Sequence, residues 1–284
     1  MSESVEHPTP EHPAPEHPAP VPAEPSVPAE PPAAPARPNE PRFPDGPRPD
    51  PADSHHERRI RSFQPRRGRV TTAQGDALQR LWPQWGLDVD GQRELDLPAL
   101  FAGESAPAVE RIVLEIGFGM GEATARMAAA DPATGILAVD VHTPGQGNLL
   151  NLADKNGLTN VRVANGDAII LLRSMLPADS LDGVRVYFPD PWPKKRHVKR
   201  RLIQPEFLSL VAGPMKPGAL LHCATDWEDY AEQMLDVLSA HPDFENTAPG
   251  GGYAPRPGFR PLTRFEGKGL DKSHVVHDLL FRHV

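Results

Sequence analysis

Short apolar segments alternate with amphipathic stretches from residue 111 onwards, and this alternation is the feature that most constrains the fold. The apolar segments are Arg111–Ile116, Gly135–Asp140, Asn160–Ala164, Gly183–Phe188 and Ala219–Ala224. Helical patterns occupy Glu122–Ala130, Asn148–Asn156, Ala168–Met175, Pro205–Ala212 and Trp227–Ala240, and an earlier one spans Thr72–Trp82. Strand–helix alternation predicts an α/β fold, with a mostly parallel sheet and helices on both faces. Ligands bind beyond the carboxyl ends of such strands, so the turns after the apolar segments are the first places to look for chemistry.

The N-terminal part of the chain differs sharply in composition from the rest. About half of the 36 prolines lie before residue 52, with almost no aromatic or large aliphatic residues among them. Such a stretch cannot bury enough apolar surface to offset the entropy of ordering. We therefore expect residues 1–57 to form a disordered, acidic tail of polyproline II character, and residues 58–284 to form the folded domain. A Glu-His-Pro repeat carrying His7, His12 and His17 is interpreted as part of this spacer rather than as a metal-binding tract.

The net charge of −8 is confined to the tail. Residues 1–57 hold 11 acidic residues against 3 arginines, and the remaining 27 acids and 27 bases cancel. The folded domain is therefore nearly neutral, and any affinity for nucleic acid must come from a local basic patch. Two such patches are present, at Arg58–Arg69 and Lys194–Arg201.

Cysteine and hydropathy patterns indicate the compartment. The single cysteine, Cys223, excludes an intramolecular disulfide framework and fits a reducing compartment. No apolar run reaches membrane-spanning length, and the acidic N-terminus lacks a secretory signal pattern. We expect a cytoplasmic protein with no membrane or metal partner. Cys223 lies inside the apolar run LLHCA, which favours a buried core thiol over a nucleophile that attacks pyrimidine C5.

A glycine-rich turn follows the first apolar segment, in the sequence Glu115-Ile-Gly-Phe-Gly-Met-Gly121. Gly117 and Gly119 match the glycines at the first and third positions of the dinucleotide fingerprint, but Glu122 stands at the sixth position, where the third glycine is required. The turn, with Gly121, therefore indicates close approach of the backbone to a ligand other than a pyrophosphate.

Carboxylates follow three of the predicted strands. Glu115 would suit the ammonium group of S-adenosylmethionine, which carries no phosphate. Asp140 ends the second strand, where an acid can bind both ribose hydroxyls. Asp167 follows the third strand and is placed to contact the adenine edge, although a helix N-cap is an equally open role and both can hold together.

The segment Phe188–Arg201, FPDPWPKKRHVKRR, combines three kinds of chemistry. Two prolines flank Asp190 and stiffen the loop that carries its carboxylate. Trp192 offers a flat face for a base. Six Lys or Arg residues within Lys194–Arg201 suit a run of phosphate contacts. The segment therefore predicts a site that holds one base while gripping its backbone.

With these residues in view, the chain resembles the bacterial tRNA (guanine-N(7)-)-methyltransferase family from about residue 60 to the end. The matching segments are EIGFGMGEAT, VDVHTPGQG, NGDA, YFPDPWPKKRHVKRRLIQPEFL, ATDWEDYAEQML and RPLTRFEGKGLDKSHVVHDL. The resemblance implies a Rossmann-like class I methyltransferase fold and methylation of N7 of guanine 46, in the variable loop of tRNA. S-adenosylmethionine would be the methyl donor, and the protein a monomer or homodimer.

The resemblance also implies a set of site residues. Asp190 would be the active-site acid. The cofactor would be bound by Glu115, Gly117, Gly119, Gly121, Asp140, Asp167 and Asp190. The target nucleotide would be bound by Lys194, Asp226, Thr263, Arg264, Phe265 and Glu266. The tRNA would be contacted by Lys195, Arg196, His197, Val198, Lys199, Arg200 and Arg201.

The chain departs from the family pattern at three positions. Asp140 stands where Glu is more usual, Ser273 where Gly is usual, and His277 where Trp is commoner.

The sequence leaves other functions open. An enzyme that methylates an exocyclic base amine is the nearest alternative to guanine N7 methylation. A catalytically silent RNA-binding scaffold is a second alternative, but the sequence retains every acidic residue proposed to bind the cofactor, which disfavours it. A nicotinamide dehydrogenase is a third, and the absence of the third fingerprint glycine disfavours it.

Overall fold

The computed structural model describes residues 68–103, 108–263, 266 and 275–284. Its strands are β1 (Gly86–Asp88), β2 (Arg111–Ile116), β3 (Thr134–Asp140), β4 (Val161–Asn165), β5 (Leu181–Tyr187), β6 (Met215–Thr225), β7 (Phe244–Asn246) and β8 (His277–His283). Its α-helices are α1 (Thr72–Trp85), α2 (Leu97–Phe101), α3 (Glu122–Ala130), α4 (Thr143–Lys155), α5 (Ala168–Ser174), α6 (Pro205–Ala212) and α7 (Glu228–Ala240). A 3₁₀-helix spans Lys195–Arg200.

The described strands form one sheet in the order β1-β4-β3-β2-β5-β6-β8-β7. The pairings among β1 to β6 are all parallel, whereas β8 runs antiparallel to both β6 and β7. Along the chain, β2, β3 and β4 proceed towards one edge, and β5 then returns to the other side of β2. This reversal makes a topological switch point between β2 and β5, and ligands of open α/β sheets bind beside such a point.

Helices cover both faces of the sheet, as the sequence predicts. In β3, Leu137 and Val139 pack into one core cluster together with α5, α6 and α7, whereas Ile136 and Ala138 pack into a second cluster with α1, α3 and α4. Successive side chains of a strand point to opposite faces, so the two clusters lie on the two sides of the sheet. The expected α/β class with a mostly parallel sheet is confirmed.

Helix α4 begins earlier than the expected start at Asn148. It starts at Thr143, with Pro144 in its first turn, where a missing N–H is tolerated. Position 145 lies inside the helix and requires glycine, because a Cβ there would overlap the carbonyl oxygen of Gly119. Glycine has low helix propensity, so the sequence pattern alone starts this helix too late. The early start brings α4 directly against the glycine-rich turn.

Several elements were not predicted, and several predictions lie outside the described residues. The missed elements are β1, α2, β7, β8 and the 3₁₀-helix. The tail 1–57, and residues 58–67 of the first basic patch, are not among the described residues. In the described part of the chain, no helix is long and apolar enough to cross a membrane, and no group of three or more His, Cys, Asp or Glu side chains is arranged to hold a metal ion.

Candidate active site

The glycine-rich turn leaves β2 at the switch point and borders open space. Gly117, Gly119 and Gly121 have φ of 79°, 60° and 77°, in the left-handed region that glycine adopts without strain. A Cβ added at Gly117 or Gly119 would meet no atom within 4 Å, whereas one at Gly121 would press into Leu149. The first two glycines therefore face open space, and the third lets the turn pack on α4.

Asp140 is fixed by backbone donors at the end of β3. Its Oδ2 accepts the Gly119 N–H at 3.0 Å, and its Oδ1 accepts the His142 N–H at 3.0 Å. Burial raises the pKa of Asp140, and the two backbone hydrogen bonds oppose that rise. Asp140 is therefore tied to the same turn that faces open space.

Glu115 is the most unusual carboxylate of the site. It is only 3% exposed, and its Oε2 has no hydrogen-bond partner among the described residues. Burial raises its pKa to about 7, while the guanidinium of Arg185, its neighbour across the β2–β5 pairing, pulls the pKa down. A second buried polar atom, Thr124 Oγ1, also has no described partner. The Thr124 side chain also lowers the pKa of Glu115, so the two groups influence each other. Buried polar atoms without partners are rare, and the Glu115 carboxylate suits a cationic ligand.

Asp167 caps α5, which was one of its two expected roles. Its Oδ1 accepts the Ile169 N–H at 3.0 Å, so the side chain satisfies an otherwise unpaired donor of the first helical turn. Asp167 follows β4 directly, on the same sheet edge as Asp140, because Asp140 pairs with Asn165 across β3 and β4. The adenine contact stays a prediction.

The loop that carries Asp190 leaves β5 on the other side of the switch point. Phe188 and Trp192 have φ of 50° and 46°, which non-glycine residues seldom adopt. The Phe188 N–H donates to Ala224 O at 2.7 Å, which holds the start of the loop against the end of β6. The half-buried Asp190 thus lies in a turn whose backbone is strained at both ends.

Arg201 differs from its expected role as an RNA contact. It is 2% exposed, its Nε donates to Pro191 O at 2.8 Å, and its guanidinium also binds Gln233 Oε1 at 2.6 Å and the carboxylate of Asp229. The guanidinium stacks on the Tyr230 ring, 4.8 Å from its centroid. Arg201 therefore clamps the loop that carries Asp190 to α7 and is not presented to a nucleic acid.

The rest of the basic run is accessible. The side chains of Lys194, Lys195, Arg196, Lys199 and Arg200 are exposed, and those of His197 and Val198 are half-buried. The Arg200 guanidinium lies 5.1 Å from the centroid of Trp192, and the His197 ring meets the same indole edge-on at 5.7 Å. Desolvation and the surrounding cations lower the pKa of His197, so the charge of this surface resides on its Lys and Arg residues.

Glu266 is buried and paired within the protein. It is 3% exposed, and its Oε2 and Oε1 accept from the Arg260 guanidinium at 2.8 and 3.2 Å. Thr263 Oγ1 accepts the Glu266 N–H at 3.1 Å, and the Thr263 N–H points back to Glu266 Oε2 at 3.4 Å. Glu266 thus forms an ion pair with Arg260. Arg264 and Phe265 are not among the described residues, and the half-buried Asp226 directly follows β6.

A buried polar chain next to this site was missed by sequence reasoning. Tyr187 Oη lies 2.9 Å from His222 Nδ1, His222 Nε2 lies 2.7 Å from Asp278 Oδ1, and Asp278 binds Arg260 through both oxygens at 2.7 and 2.8 Å. The signal was present in the sequence, since His222 and Asp278 each interrupt an apolar run. Polar residues in buried strands need partners, and these two are partners of each other.

Two further expectations concern neighbouring residues. Cys223 is fully buried in β6, and burial raises its pKa to about 12, as expected for a core thiol. His277, which stands where Trp is commoner, packs on the Tyr253 ring with centroids 4.3 Å apart.

Comparison with known proteins gives a consistent result. Residues 109–279 match the family model described as "Putative methyltransferase". The chain is 80% identical over 243 residues to a tRNA (guanine-N(7)-)-methyltransferase of Streptomyces avermitilis, covering 86% of this chain and 82% of the relative. A protein of the same name from Streptomyces coelicolor is 76% identical, covering 86% and 88%. Another from Burkholderia mallei is 53% identical, covering 82% and 85%. The chain therefore belongs to the tRNA (guanine-N(7)-)-methyltransferase family.

Proposed function

We propose that this protein transfers a methyl group from S-adenosylmethionine to N7 of guanine 46 in the variable loop of tRNA. The observation that carries the proposal is the juxtaposition, in a chain of this family, of an open glycine turn with an unpartnered buried carboxylate on one side of the switch point and the Asp190 loop on the other. We further propose that it acts in the cytoplasm, as a monomer or homodimer.

The residues at the glycine-rich turn fit S-adenosylmethionine. Open space beside Gly117 and Gly119 leaves room for the methionyl moiety, and the unpartnered Oε2 of Glu115 suits its ammonium group. The oxygens of Asp140 suit the two ribose hydroxyls, and Asp167 suits the adenine edge. When bound, the group supplies a sulfonium methyl. The chain has to orient it and keep water from the transfer.

The chemistry at guanine N7 makes modest demands on the protein. N7 carries an in-plane lone pair, so no proton has to be removed before attack, and positive charge develops on the purine ring. Orientation and a fixed carboxylate are then the useful contributions. We assign the carboxylate to Asp190, whose loop is held by the Arg201 clamp and by the Phe188 N–H. Asp226 is a further acceptor for the guanine N1–H and amino edge.

The tRNA backbone would be held by the exposed part of the basic run. Lys195, Arg196, Lys199 and Arg200 project from the 3₁₀-helix that directly follows the catalytic loop. The Lys194 side chain, one residue earlier, is placed for the target nucleotide's phosphate. Because the folded domain as a whole is nearly neutral, this local concentration of positive charge should dominate the salt dependence of binding.

Nucleoside analysis tests the proposed function. The purified chain is incubated with unmodified tRNA and S-adenosylmethionine, and the digested RNA is analysed by mass spectrometry. We expect 7-methylguanosine, and we expect Asp190→Ala to lose at least about a hundredfold in kcat at saturating substrates. Asp179→Ala, at an exposed turn away from the site, serves as the control. Methylation at an exocyclic amine, or near-normal activity of Asp190→Ala, would show the assignment to be wrong.

A further inference from the structure

We propose that Arg260 is a positioning residue for methyl transfer, which locks the Thr263–Glu266 corner to the loop that carries Asp190. The inference rests on the proposed function. Arg260 is among the largest fully buried side chains of the described protein, with 1% exposure. It lies between two carboxylates, those of Glu266 and Asp278, and donates to both.

The guanidinium geometry makes Arg260 a rigid connector. Nε and Nη2 bind the two oxygens of Asp278 at 2.7 and 2.8 Å, in the parallel fork that only arginine offers. Nη1 and Nη2 turn the other way, to Glu266 Oε2 and Oε1 at 2.8 and 3.2 Å. Although burial opposes its charged form, the hydrogen bonds that Arg260 donates to both carboxylates raise its pKa, so it stays cationic. One side chain thus ties β8 to the segment that ends at Glu266.

The chain continues from Asp278 to the catalytic loop through neutral groups. Burial lowers the pKa of His222, so the imidazole is neutral. Asp278 accepts but cannot donate, because burial is outweighed by its hydrogen bonds and its pKa lies below the usual value. His222 Nε2–H must therefore donate to Asp278, and the Tyr187 hydroxyl must donate to Nδ1, which has the only free lone pair of the ring. The Tyr187 hydroxyl and the His222 Nε2–H then each have one acceptor.

Both ends of the chain reach the Asp190 loop. Tyr187 is the last residue of β5 and directly precedes Phe188, whose positive φ starts the loop. The Arg260 guanidinium itself lies 5.8 Å from the centroid of the Phe188 ring. Removing the bidentate fork would release the Glu266 corner and deprive Asp278 of its guanidinium partner, while Glu266 would keep the longer contact with Arg256, 3.6 Å from its Oε1.

The buried series from Tyr187 to Arg260 can contribute to the reaction by orienting the active-site loop, not by transferring a proton. A Tyr–His–Asp series resembles a proton relay, yet attack by N7 releases no proton to a base. Glu115 and Asp140, the residues proposed to hold the cofactor at the glycine-rich turn, are not members of this series of polar groups. A defect confined to Arg260 should therefore slow methyl transfer and leave S-adenosylmethionine binding intact.

The test compares Arg260→Lys with a control, Arg80→Lys. The control alters an exposed ion pair between Arg80 and Asp154, both of which lie far from Arg260 in the sequence. Wild-type enzyme is first shown to form 7-methylguanosine, which checks the proposed function separately. Both variants are then assayed well below their own melting temperatures. For Arg260→Lys we expect kcat to fall at least about tenfold, with the Kd for S-adenosylmethionine within about twofold of wild type; Arg80→Lys should match wild type.

A double variant and a milder single variant complete the test. If Arg260 acts through Glu266, each single substitution breaks the same Arg260–Glu266 contact. The double variant, Arg260→Lys with Glu266→Gln, should then be about as slow as the slower single variant. Should Arg260→Lys not fold, Tyr187→Phe removes only one hydroxyl, and we expect kcat to fall about threefold or more with unchanged cofactor affinity. Wild-type kcat in the folded variant, additive losses in the double variant, or equal losses of cofactor affinity would overturn the proposal.

Discussion

Arg200 and Arg201 are adjacent in the basic run, yet the structure gives them opposite roles. Arg200 is exposed, and Arg201 is buried against the catalytic loop and α7. Replacing each with methionine keeps the length of the side chain and removes its charge. We expect Arg201→Met to destabilise the fold and Arg200→Met to weaken tRNA binding.

The magnitude for Arg201→Met follows from the groups it leaves behind. Pro191 O and Gln233 Oε1 lose charge-assisted donors at 2.8 and 2.6 Å, whereas Asp229 is 69% exposed and can be rehydrated. Two half-buried acceptors at about 1–3 kcal/mol each give a loss of about 2–6 kcal/mol in the free energy of unfolding. In a domain of roughly 150–250 residues, 1 kcal/mol corresponds to about 2–4 °C, so Tm should fall by at least about 4 °C.

Arg200→Met should instead change the salt dependence of binding. One fewer phosphate contact lowers the slope of log K against log salt concentration by about 0.7–0.9, while Tm stays within about 2 °C of wild type. The assay pairs thermal unfolding of both variants with tRNA binding at several salt concentrations. A normal Tm for Arg201→Met, together with a reduced salt slope, would refute the clamp and restore Arg201 to the RNA surface.

Two further predictions concern the cofactor side of the site. Since the pKa of Glu115 is about 7 and a bound ammonium favours its ionised form, the affinity for S-adenosylmethionine should fall up to about tenfold per pH unit below pH 7. Calorimetry from pH 5.5 to 7 checks this, and Glu115→Gln should bind weakly with a flat profile; a pH-dependent Glu115→Gln would contradict the assignment. Gly145→Ala should push α4 off the Gly119 carbonyl and lower both Tm and cofactor affinity. Its matched control, Gly75→Ala in α1, has room for the methyl and should be neutral or stabilising by up to about 1 kcal/mol; equal behaviour of the two would mean that the close approach is unimportant.

Local sequence patterns predicted the sheet well because its strands are buried on both faces and read as apolar runs. The segment Arg111–Ile116 was predicted with the bounds of β2, and the acids at strand ends fell at the carboxyl edge because parallel strands align there. Elements at the edges of the sheet, such as β1 and β7, are three residues long and carry no periodicity to detect.

Side-chain partners were the part that sequence could not supply. The run Lys194–Arg201 reads as one basic surface, and nothing in its spacing reveals that Arg201 turns inward to Pro191 O. Glu266 reads as an acceptor for guanine, but its oxygens are filled by Arg260, six residues earlier in an irregular segment. Such pairings depend on how loops return to the sheet, which periodicity does not encode.

The position of β8 has a consequence for how the protein is made. This strand comes after all the others along the chain, yet it lies between β6 and β7 in the sheet. A nascent chain that has reached β7 therefore exposes the whole edge of β6, a template for pairing with other chains. It also holds His222 without Asp278, its acceptor. Residues 277–283 close that edge and complete the buried polar series together, so we expect a chain truncated before residue 277 to be prone to aggregate.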